Sequence, residues 1–248
     1  MTPAVGRSTR ARAGVTPALE GLSAPHGVLF DAGGTLVQLD VGRLTTALQE
    51  AGHDPACVDT AFWHTLVLLD SEFAPDRGAF DDWWTDWQAR FATHCQVPTE
   101  TFRRIYDALN AQELLWQQPV PDAASALDRL RGAGVAVGVV SNADGRIAQA
   151  LQAAGLADRC DVIVDSTLVG VHKPDPAIFQ HALEPLGLDP AHTWYLGDSV
   201  AYDAAAADAA GLVSWIVDHR GLHAHEHPRR VGSLTAFADA VLAARGIT

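Results

Sequence analysis

The 248-residue chain holds one lysine, Lys173, and one methionine, Met1. Arginine supplies the remaining fixed positive charge, and acidic residues outweigh it to a formal net charge of −13. Phosphate backbones are held by Lys and Arg, so this balance argues against a nucleic-acid partner. The three cysteines, Cys57, Cys95 and Cys160, show no Cys-x-x-Cys spacing and leave an odd one over. That fits reduced thiols in a cytoplasmic protein better than a disulfide frame. No apolar run approaches the roughly 20 residues that span a bilayer, and no membrane partner is expected. The first two dozen residues set Arg7, Arg10 and Arg12 among Pro, Gly, Ala and Ser, without the continuous apolar segment of a secretory signal. Residues 1–25 read as a mobile tail pinned in part by Leu19 and Leu22, with a transit peptide as the alternative.

At 48% hydrophobic and 19% charged residues, the composition is that of an ordinary globular protein. The length accommodates an α/β core plus one inserted unit. Residues 27–36 organise the rest. Val28, Leu29 and Phe30 form the short apolar run of a buried parallel strand. The run stops at Asp31, followed by Ala32-Gly33-Gly34 and Thr35. An acid at the carboxyl end of such a strand lies where open α/β sheets place their ligands. Gly33 and Gly34 let backbone amides come close to a bound anion. A plain strand end with an Asx-type turn is the structural alternative.

Residues 40–119 differ from their surroundings, with Trp63, Trp83, Trp84, Trp87 and Trp116 and little that resembles a buried strand. Phe80, Trp83, Trp84, Trp87 and Phe91 recur at helical spacing. The stripe reads first as helix-bundle core, with an aromatic wall facing a ligand as the alternative. Pro98, Thr99 and Glu100 open a further helix over about 100–116, and Pro119 and Pro121 end the segment.

From residue 122 the pattern alternates strand and helix. Helices are expected over 123–131, 147–154, 176–186, 203–210 and 233–245, and strands over 135–140, 162–164, 194–197 and 213–217. This order predicts an α/β fold, a doubly wound parallel sheet with helices on both faces. The aromatic segment is then an insertion directly after the Asp31 turn, placed to cover it.

Four polar clusters fall at strand ends or in the loops after them: Asp31 with Thr35, Ser141 with Asn142, Lys173, and Asp198-Ser199 with Asp203. Each alone could be a turn or a helix cap. Parallel strands set these loops along one edge, so convergence on one crevice is the simpler account.

Taken together, Phe-Asp-Ala-Gly-Gly-Thr-Leu, Val-Val-Ser-Asn, Lys-Pro-Asp-Pro and Gly-Asp-Ser-Val-Ala-Tyr-Asp resemble the four motifs of the haloacid dehalogenase superfamily. They stand in the family's order over residues 27 to about 220, and the resemblance is to the branch with a helical cap after the first motif. It implies a Rossmann-like core of residues 26–39 and 120–248 and a cap domain of residues 40–119. It further implies that Asp31 is a nucleophile that forms an aspartyl phosphate. Ser141, Lys173 and Asn142 would bind the phosphoryl oxygens with the Gly33-Gly34 turn, and Thr35 would join the catalytic set. Asp31, Asp198, Asp203 and the carbonyl of Gly33 would hold Mg²⁺. The chemistry is coherent: an anion that attacks an anion needs its repulsion cancelled by Mg²⁺ and Lys173.

One position departs from the family's phosphatases, which usually carry a second Asp two residues after the nucleophile. Gly33 stands there, and loss of a general acid–base typically costs about 10²–10⁴ in rate. Three readings stay open: a substitute such as His172, His53, His64 or His94; a substrate whose leaving group needs no proton; or ligand binding with little turnover. The dehalogenase branch normally has Tyr at that position and lacks the metal-type fourth motif. The phosphonate-cleaving branch uses a cap lysine, and this cap has none. His219, His223, His225 and His227 could hold a transition metal or form a solvated loop. The expected function is a Mg²⁺-dependent phosphohydrolase of a small phosphate monoester, monomeric or homodimeric. A phosphoryl-ligand-binding protein is the alternative, and a 2-haloacid dehalogenase the third choice.

Overall fold

The computed structural model describes residues 19–71, 80–222 and 227–247, with the backbone alone for Pro55, Ser71 and residues 80–83. The tail assignment falls mostly outside these residues, as do His223, His225 and the side chains of Phe80 and Trp83. Leu19 and Leu22 pack against the core, as their apolar character predicts.

Six parallel strands form the central sheet in the order β5-β4-β1-β6-β7-β8. They are β1 (Gly27–Phe30), β4 (Ala136–Ser141), β5 (Val162–Asp165), β6 (Thr193–Gly197), β7 (Val213–Val217) and β8 (Arg230–Val231). The β-branched and aromatic runs form these strands because both faces are covered. Side chains alternate between the faces: Val28, Phe30 and Trp194 join one core cluster, Leu29 and Tyr195 the other. Helices α5 (Ala123–Gly132), α6 (Ile147–Ala153) and α10 (Leu234–Ala244) cover the first face. Helices α8 (Gln180–Leu186) and α9 (Ala205–Ala209) cover the second. A single turn, α7, spans Ser166–Val169. The expected helix over 203–210 is preceded by a wider π turn, Val200–Ala204. The two-residue β8 was too short to read from the sequence.

The chain leaves the sheet through β2 (Val37–Leu39) and returns through β3 (Trp116–Pro119), which pair antiparallel. Between them lie α1 (Val41–Glu50), α2 (Val58–Ser71), α3 (Phe80–His94) and α4 (Thr99–Gln112). The expectation of a helix reaching residue 116 is corrected. Helix α4 stops at Gln112, Glu113 is extended, and Trp116 lies opposite Leu39 in the ribbon. The polar Gln117-Gln118 pair gave no alternation from which a strand could be read. The inserted helices share their own core, with Leu44, Leu48, Phe62, Trp87, Phe91, Phe102 and Tyr106 buried together. Trp87 and Phe91 of the aromatic stripe are therefore packing residues, whereas Trp84 is only partly buried.

The cysteine expectation is also corrected. Cys57, just before α2, forms a disulfide with Cys95, just after α3, across a Cα–Cα distance of 5.4 Å. Packing of these two helices brings together residues 38 positions apart, a proximity that spacing does not reveal. Cys160 is the free thiol, and its burial pushes its pKa up to about 11. With two of the three cysteines paired, reduced thiols no longer point to a cytoplasmic location. No described helix is long and apolar enough to cross a membrane.

Candidate active site

The loops after β1, β4 and β6 meet at one edge of the sheet and line a cavity of about 280 Å³ with the inserted helices. Asp31 follows β1 directly, Ser141 is the last residue of β4, and Asp198 follows β6. Lys173 reaches in from the loop after α7. Its Nζ donates to Asp31 Oδ1 at 2.6 Å, Asp203 Oδ1 at 2.6 Å and Tyr195 Oη at 2.8 Å. The chain's sole lysine is thus buried with all three of its donors used.

Asp31, Asp198 and Asp203 each present a carboxylate oxygen within 4.8 Å of the others. Burial pushes the Asp31 carboxyl up to about 6, against the pull of Lys173 and with the repulsion of Asp203. Burial, then repulsion from Asp203 and Asp31, raises Asp198 well above the carboxylate range. Burial works against the Lys173 charge, but Asp203 and Asp31 outweigh it and hold the ammonium above its usual range. Three carboxylates around one ammonium leave an excess of negative charge on hard oxygen donors. This donor set fits a divalent cation such as Mg²⁺. It is the one cluster of three or more potential metal ligands among the described residues.

Two glycines admit this crowding. A Cβ on Gly34, whose φ is +80°, would run into the Asp198 carboxylate, and one on Gly197 would overlap Asp203. Asp203 Oδ2 in turn accepts from the amides of Asp198 and Ser199 at 3.1 and 3.0 Å.

Asp31, Gly33, Ser141, Asn142, Lys173, Asp198 and Asp203 all line the cavity. Three expectations are corrected. Thr35 does not line it; its Oγ1 is buried without a hydrogen bond, because the turn packs that side chain inward. The amide of Gly34 is spent within the turn, donating to Val37 O at 2.8 Å, so it offers no donor to an anion. Asn142 turns its amide group to the backbone of Lys173: Nδ2 donates to the carbonyl at 2.9 Å and Oδ1 accepts from the N–H at 2.8 Å. It positions the lysine loop.

None of His172, His53, His64 and His94 lines the cavity. His219 and His227 have different surroundings: His219 meets the Trp63 ring and Thr35 O, whereas His227 meets Ser214 and Arg229.

Three site residues escaped sequence reading. Tyr195 read as a strand residue, yet its hydroxyl donates to Asp203 Oδ1 at 2.8 Å while accepting from Lys173. A phenol on an otherwise apolar buried strand was the available signal. Asp165 at the end of β5 accepts from the amides of Gly145 and Ile147 at 3.1 and 3.2 Å, which fixes the loop after Ser141. Asp70, from α2, accepts from Ser199 and the two residues after it. Nothing local marks Asp70.

A family model described as haloacid dehalogenase-like hydrolase matches residues 25–211. (S)-2-haloacid dehalogenase 4A of Burkholderia cepacia is 33% identical over 201 residues, covering 78% of this chain and 83% of that protein. Phosphatase MT3486 of Mycobacterium tuberculosis is 33% identical over 128 residues, 51% of this chain and 58% of its own length. The chain spans only about half the length of several such curated relatives. A solved haloacid dehalogenase family hydrolase from Deinococcus radiodurans, with bound phosphate and sodium, superposes with a TM-score of 0.64 at 27% identity. That superposition covers 91% of this chain and 99% of the other.

Proposed function

The chain belongs to the haloacid dehalogenase-like hydrolases, and from that premise we propose that it is a Mg²⁺-dependent phosphohydrolase acting on a small phosphate monoester. The observation that carries this reading is the meeting of Asp31, Asp198, Asp203 and Lys173 in one pocket. The bound phosphate of the Deinococcus structure and the phosphatase among the relatives support it.

In this reading Asp31 is the nucleophile, Ser141 binds the phosphoryl oxygens, and Lys173, whose three donors are held by Asp31, Asp203 and Tyr195, faces them as a positive charge. Asp31, Asp198, Asp203 and the Gly33 carbonyl would hold Mg²⁺. When bound, the ion supplies charge neutralisation at the phosphoryl group. Lys173 keeps Asp31 oriented through its 2.6 Å bond and screens an incoming dianion. Tyr195 and Asn142 hold Lys173 in place. Residues 40–119 act as the cap, closing over a core of residues 26–39 and 120–248.

The test is Mg²⁺-dependent phosphate release from p-nitrophenyl phosphate. Asp31→Asn should abolish it, and full activity in that variant would overturn the mechanism. A dehalogenase is the second reading, favoured by the similarity to the Burkholderia enzyme over most of both chains. Chloride release from 2-chloropropionate without Mg²⁺ would establish it in place of the first. A phosphoryl-ligand-binding protein would bind phosphate in the cavity and release none from esters.

A further inference from the structure

Asp31, Ser141, Lys173, Asp198 and Asp203 share the cavity with a wall that is largely carbon. Trp84, Tyr106 and Trp116 line that wall with Leu66, Leu114 and Ile147. Trp116 stands against the turn that follows Asp31: its Cε3 and Cζ3 lie 3.3 Å from where a Cβ on Gly33 would be. The indole is braced from behind, with ring centroids 5.3 Å from Phe62 and 5.6 Å from Trp87. Its one polar atom, Nε1, donates to Tyr106 Oη at 2.9 Å. The ring therefore has only carbon to offer a ligand.

Arg146 and Asn110, which also line the cavity, already have partners for some of their polar atoms. Arg146 bonds Asp144 through Nε at 3.0 Å and Nη2 at 2.5 Å. Asn110 Oδ1 accepts from the Leu115 amide at 3.0 Å. A polyol body would bury hydroxyls against carbon with few partners, which is unfavourable. A localised alkoxide leaving beside the wall would be poorly solvated, whereas an aryloxide spreads its charge over a ring that stacks on indole.

Resting on the phosphohydrolase reading, the geometry points to aryl phosphates, esters of a flat phenolic alcohol, as the substrate class of this cavity. In the first displacement an oxygen of Asp31 bonds to phosphorus as the ester P–O bond breaks, its electron pair leaving on the aryloxide. The aryloxide takes a proton from solvent. Water then attacks the phosphorus, the bond to Asp31 breaks, and phosphate leaves as the water's proton passes to solvent. No general acid is needed in the first step, which accords with Trp116 crowding the space in front of Gly33.

The test compares phosphate release by the full chain with Mg²⁺ from phenyl phosphate and from glycerol 1-phosphate, with Asp31→Asn as blank. A kcat/KM ratio of about 10²-fold or more in favour of the aryl ester is expected. Trp116→Leu should narrow that ratio, chiefly by raising KM for phenyl phosphate. Equal rates, or a preference for the alkyl ester, would overturn the aryl class and leave the phosphohydrolase reading standing. Release from neither ester above the blank would instead overturn the phosphohydrolase reading. Tryptophan quenching in the Asp31→Asn protein would then decide the wall. Phenyl phosphate binding about 10-fold tighter than glycerol 1-phosphate would retain it, and equal or absent quenching would reject it.

Discussion

Asp70 of the helical insertion grips the loop that carries Asp198. Its Oδ1 accepts from Ser199 Oγ at 2.5 Å and from the Ala201 amide at 2.8 Å, and its Oδ2 from the Val200 amide at 3.1 Å. An acid from the inserted helices thus satisfies amide donors at the start of the π turn that follows β6. Asp70→Ala would leave two amides without this acceptor, and a loss of about 1–3 kcal/mol in unfolding free energy is expected. Because Ser199 adjoins Asp198, Mg²⁺ affinity should also fall, by roughly 10-fold or more, as for other groups that orient metal ligands. Urea titration and calorimetric Mg²⁺ binding measure the two effects. Wild-type values in both would show that the contact holds nothing in place.

Gly34 makes a second link between local backbone and the proposed metal site. Its φ of +80° disfavours any side chain, and a Cβ would meet the Asp198 carboxylate. Gly34→Ala should lose about 1–2 kcal/mol from the left-handed backbone alone. Displacement of Asp198 adds a loss of Mg²⁺-dependent activity that excess Mg²⁺ only partly restores. Normal Mg²⁺ affinity in a folded Gly34→Ala protein would refute this account.

The motif loops were legible because each lies at the end of a strand that reads as a buried run, and a parallel sheet sends such ends to one edge. The convergence of Asp31, Ser141, Asp198 and Asp203 on one cavity is legible in that way, and Lys173 joins them from the loop after α7. Asp70 shows no such sign, since it stands 129 positions from Ser199 and meets it only when α2 packs beside the π turn. Thr35 and Gly34 failed for a different reason. Sequence places both in the turn but does not reveal that the turn uses the Gly34 amide and buries the Thr35 hydroxyl without a partner. Trp116 read as the end of a helix because a three-residue partner strand, Val37–Leu39, is too short to declare a period.

At the other end of α2, His219 packs against the Trp63 ring while its Nε2 lies 3.4 Å from the Thr35 carbonyl. Next to it, Arg220 bonds Asp59 at 3.0 Å and covers the same indole. Burial, outweighing the Thr35 bond and nearby acids, lowers the His219 pKa below its ordinary value of 6.5. The unfolded chain therefore binds the proton more readily than the fold does. Stability conferred by neutral His219 is complete above the unfolded pKa and is lost as pH falls below about 6.5. His219→Phe should flatten the fall in urea midpoint between pH 7.5 and 5.5. An unchanged slope would mean that His219 titrates alike in both states.

The Cys57–Cys95 bridge closes a loop with a sequence separation of 38 around the whole of α2 and α3. Chain entropy assigns such a crosslink about 4 kcal/mol, because it restricts the unfolded ensemble. The pairing predicts one titratable thiol per denatured chain before reduction, Cys160, and three afterwards. Cys57→Ser and Cys95→Ser should each lower unfolding stability by a similar amount, since either removes the same bridge. The double variant should lose no more than either alone, which is the signature of one shared bond. Both helices of the bridged pair face the cavity, α2 through Leu66 and Asp70 and α3 through Trp84. Reduction should therefore weaken binding of an aromatic ligand at that wall more than it weakens Mg²⁺ binding at Asp198 and Asp203. Three reactive thiols in the unreduced denatured chain would place Cys57 and Cys95 in contact without a bond and leave the stability of the inserted helices to their aromatic core.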